Sequence, residues 1–203
     1  PASFSMSING KSENVELKDG QTKVLRLTAQ DIKTLKFSDV SGQVSLTSYY
    51  ESSTAPDKLK KNNKISVSRS YEVAGRKTTD FKDGDIVRVT LVPNIGQGAL
   101  EGEYQVVDFL PSGLKPITDP YSVNKALPYT CGSTWYPTTI ENNILYFNVY
   151  SYVNTDPNCK QITVNYYARV ISKGDFAANP ALVQSVRDVN YLNVSTSDVV
   201  HIK

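Results

Sequence analysis

Residues 83–116 read DGDIVRVTLVPNIGQGALEGEYQVVDFLPSGLKP, two apolar runs set apart by a glycine-bearing connection. In the first run Ile86, Arg88 and Thr90 alternate with Val87, Val89 and Leu91. A period of two gives a strand two distinct faces and does not fit a helical stripe. Asp83-Gly84 turns the chain into this run, and Pro93-Asn94 is expected to end it, because proline has no N–H for a ladder. Pro111, Gly113 and Pro116 close the second run, 104–110. The two runs are expected to pair antiparallel at the heart of a β domain.

The same alternation recurs along the chain. Phe4, Met6 and Ile8 lead into Asn9-Gly10, the strongest short hairpin signal, and Val15 and Leu17 lie on the return strand. Lys18-Asp19-Gly20 turns again toward an expected third strand carrying Val24, Leu25 and Leu27. Thr28 and Asp31 are spaced to cap a short helical turn through Leu35. Val44 and Leu46, running to Tyr49 and Tyr50, read as a fourth strand. Residues 52–63 (SSTAPDKLKKNN) are polar, aperiodic and proline-bearing, which marks a linker, and Lys58, Lys60, Lys61 and Lys64 read as its solvated charges.

Beyond the linker, Ile65, Val67, Arg69, Tyr71 and Val73 occupy alternate positions of a strand. Residues 112–139 read as a long ordered loop holding Cys131 and Trp135. Two further strands, 144–153 and 161–171, are joined by a turn at Asp156-Pro157-Asn158. After Lys173-Gly174-Asp175 an irregular stretch is expected through Pro180, then a short segment at 181–186 and a last strand at 199–202. Short strands at regular spacing without intervening helices predict an all-β chain of antiparallel β-sandwich type. A small N-terminal β unit is expected at 1–55, a linker at 56–63 and a larger sandwich at 64–203.

With 203 residues the chain can bury a real core, and no run is long enough to cross a bilayer. A formal net charge of +2 gives no reason to expect nucleic acid. Thirteen tyrosines against six phenylalanines favour half-buried strands whose hydroxyls stay wet. The two cysteines, Cys131 and Cys159, point to one disulfide, which would stabilise the fold by about 3.5 kcal/mol on the chain-entropy model; two free buried thiols are the alternative. Two Cys and one His do not make four zinc ligands. Pro1 begins no leader pattern, so the chain is expected either to have lost one or to be cut from a longer protein.

No catalytic constellation emerges, and no cofactor is expected. The single histidine, His201, reads as a strand-edge residue without an orienting partner. The carboxylates Asp83, Asp85, Asp188 and Asp198 are dispersed, and nothing selects a pair for glycoside hydrolysis. Phosphate loops, nucleophile elbows and calcium loops are absent from the sequence. Asn193-Val194-Ser195 is a glycosylation sequon by pattern. The aromatics Tyr146, Phe147, Tyr150, Tyr152, Tyr166 and Tyr167 suit either sheet packing or the stacking surface of a carbohydrate- or surface-binding adhesin.

A resemblance adds to this. A strand opening with Gly84, Asp85, Val87 and Val89, then one ending in Asp108, Leu110, Pro111 and Gly113, resembles the last domain of bacterial alpha-2-macroglobulin-like proteins. So does the series Tyr166 or Tyr167, Ala168, Arg169, Gly174, Phe176, Pro180, Ala181 and Ser185, with Val186 where the family often has Met. The first fifty residues, with Ile8-Asn9-Gly10 and Tyr49-Tyr50, look like the β piece that follows the thioester domain in such proteins. The resemblance implies a non-enzymatic C-terminal module of a secreted or cell-envelope protein that traps target proteases. It also implies that the module packs on the thioester domain of the same parent chain and screens it from water. The loop at Ser185, Val186 and Arg187 is the expected contact. Cys131 is followed by Gly132-Ser133-Thr134 and lacks the Glu-Gln that a thioester cysteine needs.

Overall fold

Asn9 and Gly10 both take positive φ, 50° and 77°. This is the type I′ turn whose twist matches its flanking strands. The turn joins β1 (Ala2–Ile8) to β2 (Lys11–Leu17) in a register running from Ile8↔Lys11 to Ala2↔Leu17. Thr28 then starts α1 (Ala29–Thr34) with a complete capping box: its hydroxyl accepts from the Asp31 N–H while the Asp31 carboxylate accepts from the Thr28 N–H. β3 (Lys36–Ser41) adds to the free side of β1, giving the order β2-β1-β3.

The strands expected around Val24 and Val44 do not form. Residues 21–28 and 43–49 carry no strand, and Val24 and Leu46 are 80% and 73% exposed. Local alternation found no partner strand there to hold it, and a strand without a partner leaves its backbone groups unpaired. Tyr50 lies outside the described residues. The computed structural model describes residues 1–49, 54–123, 131–151, 159 and 161–203. Their contacts separate Pro1–Ser53 from Thr54–Lys203.

The second unit runs through β4 (Ile65–Val73), β5 (Arg76–Lys77), β6 (Asp80–Phe81), β7 (Ile86–Ile95), β8 (Glu103–Phe109) and β9 (Leu114–Ile117). It continues through β10 (Ser133–Thr134), β11 (Thr139–Glu141), β12 (Ile144–Tyr150) and β13 (Thr163–Val170). β14 (Gly174–Ala178), β15 (Leu182–Ser185), β16 (Leu192–Val194) and β17 (Asp198–Ile202) complete it. One sheet has the order β10-β13-β7-β4-β5, with β9 also on β13, and the facing sheet has β11-β12-β8-β15-β16. A smaller sheet, β14-β17-β6, includes the parallel pair β17–β6. The all-β, largely antiparallel architecture is as expected.

The two central runs belong to opposite sheets and do not pair with each other. β7 pairs with β4 and β13, whereas β8 pairs with β12 and β15. Packed sheets lie about 10 Å apart, and the seven-residue connection 96–102 is long enough to cross that gap. The crossing is tied down where the Tyr104 hydroxyl donates to the Leu100 carbonyl at 2.6 Å, the back-bonding of a tyrosine corner. Nor does Pro93 end its strand: it sits in register with Val67, and β7 continues to Ile95. β13 accompanies β7 only as far as Leu91, so Pro93 lies where β7 has a partner on one side alone, a position that tolerates proline. The stretch expected to be irregular before Pro180 contains β14, where the weak strand formers of GDFAA are held by five register pairs to β17.

Inward positions fill one core. Val87, Val89 and Leu91 of β7 face it, with Tyr104 and Val106 of β8, Leu145 and Phe147 of β12, and Val164 and Ala168 of β13; none of these is more than 1% exposed. Burying each Val or Leu stabilises the fold by roughly 1.5–3 kcal/mol. Trp135 stacks on Tyr167 with ring centroids 5.7 Å apart, and Phe147 stacks on Tyr166 across the sheets at 5.8 Å. Cys131 is bonded to Cys159, with Cα atoms 4.8 Å apart. The turn expected at Asp156-Pro157-Asn158 lies outside the described residues.

Candidate functional site

At the end of the second sheet where β8 begins, β12 ends and β15 ends, the chain makes a tight turn from Ser185 to Tyr191. The buried Ser185 hydroxyl accepts from the Arg187 N–H at 3.2 Å and the Asp188 N–H at 3.4 Å. The Asp188 carboxylate accepts from the Asn190 N–H at 2.9 Å, and the Tyr191 N–H donates to the Asp188 carbonyl at 3.0 Å. The turn is also anchored to the sheet: Val186 N–H donates to the Glu103 carbonyl at 3.1 Å, and Ser185 N–H to the Tyr191 carbonyl at 2.9 Å. Despite this backbone order, Val186 and Val189 stand 60% and 70% exposed. Such a turn presents apolar side chains on a backbone that needs no further ordering to meet a partner.

The expected contact residues Ser185, Val186 and Arg187 therefore share one turn but have different surroundings. Ser185 is inside and shapes the turn, Val186 faces out, and Arg187 lies along the neighbouring chain, its Nη1 donating to the Glu101 carbonyl at 3.2 Å. Val189 was not singled out from the sequence, and only the turn it sits on gives it significance.

A second polar arrangement is fully internal. Arg69 and Asp108, each 1% exposed in its side chain, form an ion pair at 2.7 Å between facing sheets. The Tyr166 hydroxyl donates to the other Asp108 oxygen at 2.6 Å, and Arg69 Nη2 donates to the Ala178 carbonyl at 2.9 Å. The Arg69 guanidinium also lies 5.4 Å from the centre of the Tyr71 ring. Burial, the largest single influence, would lower the Arg69 pKa, but the Asp108 charge, joined by Tyr71, the Asp108 hydrogen bond and Tyr166, outweighs it and holds the guanidinium above its ordinary value. Burial first, and then the Asp108 charge, push the Tyr166 hydroxyl well above its usual range. Tyr71 also moves up, because burial outweighs the opposing pull of Arg69. The sequence signal for this network was present: Arg69 and Asp108 each stand on the inward alternation of a strand. It ties β4 and β13 of one sheet to β8 of the other, so it acts as a staple between sheets.

Other candidates resolve into structure. His201 does have a partner, since its Nδ1 lies 2.8 Å from an Asp175 carboxylate oxygen across the β14–β17 pair. Asn193 Nδ2, the atom a glycan would need, donates to the Ile65 and Asn62 carbonyls at 2.6 and 3.1 Å. Among the aromatics, Phe147 and Tyr166 are buried in the core, Tyr167 is occupied by Trp135, and Tyr152 lies outside the described residues. No group of three or more metal-ligating side chains and no helix long and apolar enough to cross a membrane occurs among the described residues.

Against known proteins, the model of the Bacterial Alpha-2-macroglobulin MG10 domain matches residues 65–188. The chain belongs to that family. The matched segment contains both central strands, the internal ion pair and the turn through Arg187. The bacterial alpha-2-macroglobulin likeness extends through the rest of the chain in solved structures. Native Escherichia coli alpha-2-macroglobulin, solved from domain MG7 to the C-terminus, is 17% identical with a TM-score of 0.55, covering 99% of this chain and 33% of that one. A Salmonella alpha-2-macroglobulin mutant, Y1175G, is 17% identical with a TM-score of 0.54 over 99% of this chain and 13% of its own. The Salmonella protein reacted with methylamine is 16% identical with a TM-score of 0.52, again over 99% of this chain and 13% of its own. The chain thus spans a third or less of the solved chains it matches, and these likenesses establish its fold. No curated protein sequence matches it.

The family motifs acquire physical reasons here. Asp108 of the Asp-x-Leu-Pro-x-Gly segment receives the hydroxyl of Tyr166 from the Tyr-x-Ala-Arg strand. Gly113 is needed because a Cβ there would fall 2.5 Å from the ring of Phe176, the aromatic of the Gly-x-Phe loop.

Proposed function

We propose that this chain is the non-catalytic C-terminal module of a secreted or cell-envelope protease-trapping alpha-2-macroglobulin. In this reading residues 64–203 form the terminal sandwich, and the turn at Ser185, Val186 and Arg187 packs on the thioester domain of the same parent chain. Packing there screens the thioester from water until a target protease cuts the parent. The observation that carries the reading is Val186, an apolar side chain held in solvent on a turn whose backbone bonds are already made, within the segment that matches the family. Cys131 is spent in the disulfide and supplies no thiol.

Residues 1–55 are proposed to be the remainder of a CUB-like domain connecting to the thioester domain, with 56–63 as linker. Supporting this, among the described residues of the first unit only Phe4, Met6 and Val15 are buried apolar residues. A cleft of ≈ 740 Å³ beside them is lined by Leu17, Leu25, Phe37, Val44 and Leu46. A unit of this size with so small a core is marginal alone.

The test is the full-length parent carrying Val186→Asp. Release of free thiol in buffer, and its acceleration by methylamine, measure access to the thioester. A charge on the docking side chain should raise the rate about tenfold or more, equivalent to losing a contact of about 1.4 kcal/mol. An unchanged rate, or no releasable thiol in the wild-type parent, would refute the shielding role.

A further inference from the structure

We infer that Gly102 and Arg187 form a brace that positions Val186, with Val189 as a second docking side chain, an inference that rests on the shielding role proposed above. Gly102 has φ +129°, a backbone state that L side chains rarely adopt. A Cβ at this position would stand 3.2 Å from Arg187 Cδ, so the arginine stem lies directly against the bare glycine. The same arginine reaches one residue further back, to the Glu101 carbonyl. Gly102 is itself fixed from its other side: its N–H donates to the Ser151 hydroxyl at 2.8 Å, and its carbonyl accepts from the Ser151 N–H at 3.0 Å.

The turn is therefore held from two directions. Ser185 shapes it from within, and Arg187, early in the turn, ties it to the chain entering β8. Val186, Arg187, Val189 and Asn190 are the exposed residues of the turn; Arg187 is held at its stem and at Nη1, and the Asn190 side chain is turned back to the Asp188 carboxylate at 2.9 Å. This leaves the two valines as the surface a partner meets. A short β-branched side chain cannot bend to find its contact, so its position has to be supplied by the backbone beneath it. The brace supplies that position. The occupant is the thioester domain of the same parent.

The experiment compares full-length parents carrying Val186→Asp, Val189→Asp, Arg187→Ala, Arg187→Lys and Gly102→Ala. Two quantities are read: thiol release and amide exchange in peptides covering 182–192. Arg187→Ala removes one hydrogen bond and the stem contact, so release should rise about tenfold while the melting temperature of the sandwich stays within a few degrees. Arg187→Lys keeps the stem and should recover most of the wild-type rate. Gly102→Ala should speed exchange of the turn amides, and Val189→Asp should raise release as Val186→Asp does. If Val186→Asp exposes the thiol but Arg187→Ala and Gly102→Ala change neither release nor exchange, the brace is wrong and the shielding role survives. If Val186→Asp leaves release unchanged, the shielding role fails, and if Val189→Asp alone does so, Val189 is no docking side chain. Turn exchange unaltered in Arg187→Ala would then dispose of the brace as well.

Discussion

Asp108→Ala is the most demanding test of how this sandwich is held together. The substitution removes the acceptor of two bonds, from Arg69 at 2.7 Å and from Tyr166 at 2.6 Å. Both side chains of the ion pair are 1% exposed, so water cannot replace what is lost. Leaving one partner of a buried pair charged and uncompensated costs about 3–5 kcal/mol. The orphaned Tyr166 hydroxyl adds about 1–3 kcal/mol. A loss of at least about 4 kcal/mol is a large share of the 5–15 kcal/mol typical of a domain. Urea unfolding followed by Trp135, the only tryptophan, reads the sandwich alone, because Trp135 is packed on Tyr167 within it. With an m-value of about 2 kcal/mol/M the midpoint should fall by about 2 M. The triple variant Asp108→Leu, Arg69→Met, Tyr166→Phe removes every charged and hydroxyl member together and should recover most of the loss. A single-variant cost below about 1 kcal/mol would mean that the pair is solvated in solution, contrary to its geometry.

Three further outcomes follow from the same contacts. Tyr166 and Tyr71 have folded-state pKa values raised by burial, so the stability they contribute is complete below the unfolded tyrosine value of about 10 and declines as pH rises above it; a Trp135-detected melting temperature that is flat through strongly alkaline pH would contradict this. The Asp31 carboxyl is held low first by the Thr28 backbone N–H, so its support for α1 is present above the ordinary carboxylate range and lost on acidification through it. Thr28→Ala should cost the first unit about 1 kcal/mol, seen as faster amide exchange in α1, and equal exchange in both proteins would refute the capping role. Gly113→Ala forces a methyl to within 2.5 Å of the Phe176 ring and should cost about 1–3 kcal/mol, relieved in part by Phe176→Ala; a neutral Gly113→Ala would show that the ring moves freely.

Much of the fold was legible because strand signals are local. The β1–β2 hairpin, the capped α1, the Asp83-Gly84 turn and the inward alternation of β4, β7, β12 and β13 all follow from residues a few positions apart. Errors arose where the deciding contact was distant. The strands expected near Val24 and Val44 had alternation but no neighbour, while β14 had poor propensity and a good neighbour in β17. At the candidate site the family motifs located Ser185, Val186 and Arg187. Gly102 could not be connected to them, because it lies more than eighty residues away and meets Arg187 only through the β8–β15 pairing.

The amino-acid order by itself determined that this chain forms short two-faced strands, where its turns fall, and which side chains avoid water. Pairing is another matter, since a backbone N–H and C=O bond equally well to any strand of suitable register. Which sheet each of the two central runs joined, the meeting of Arg69 with Asp108, and the laying of Arg187 across Gly102 were decided only when the strands packed together.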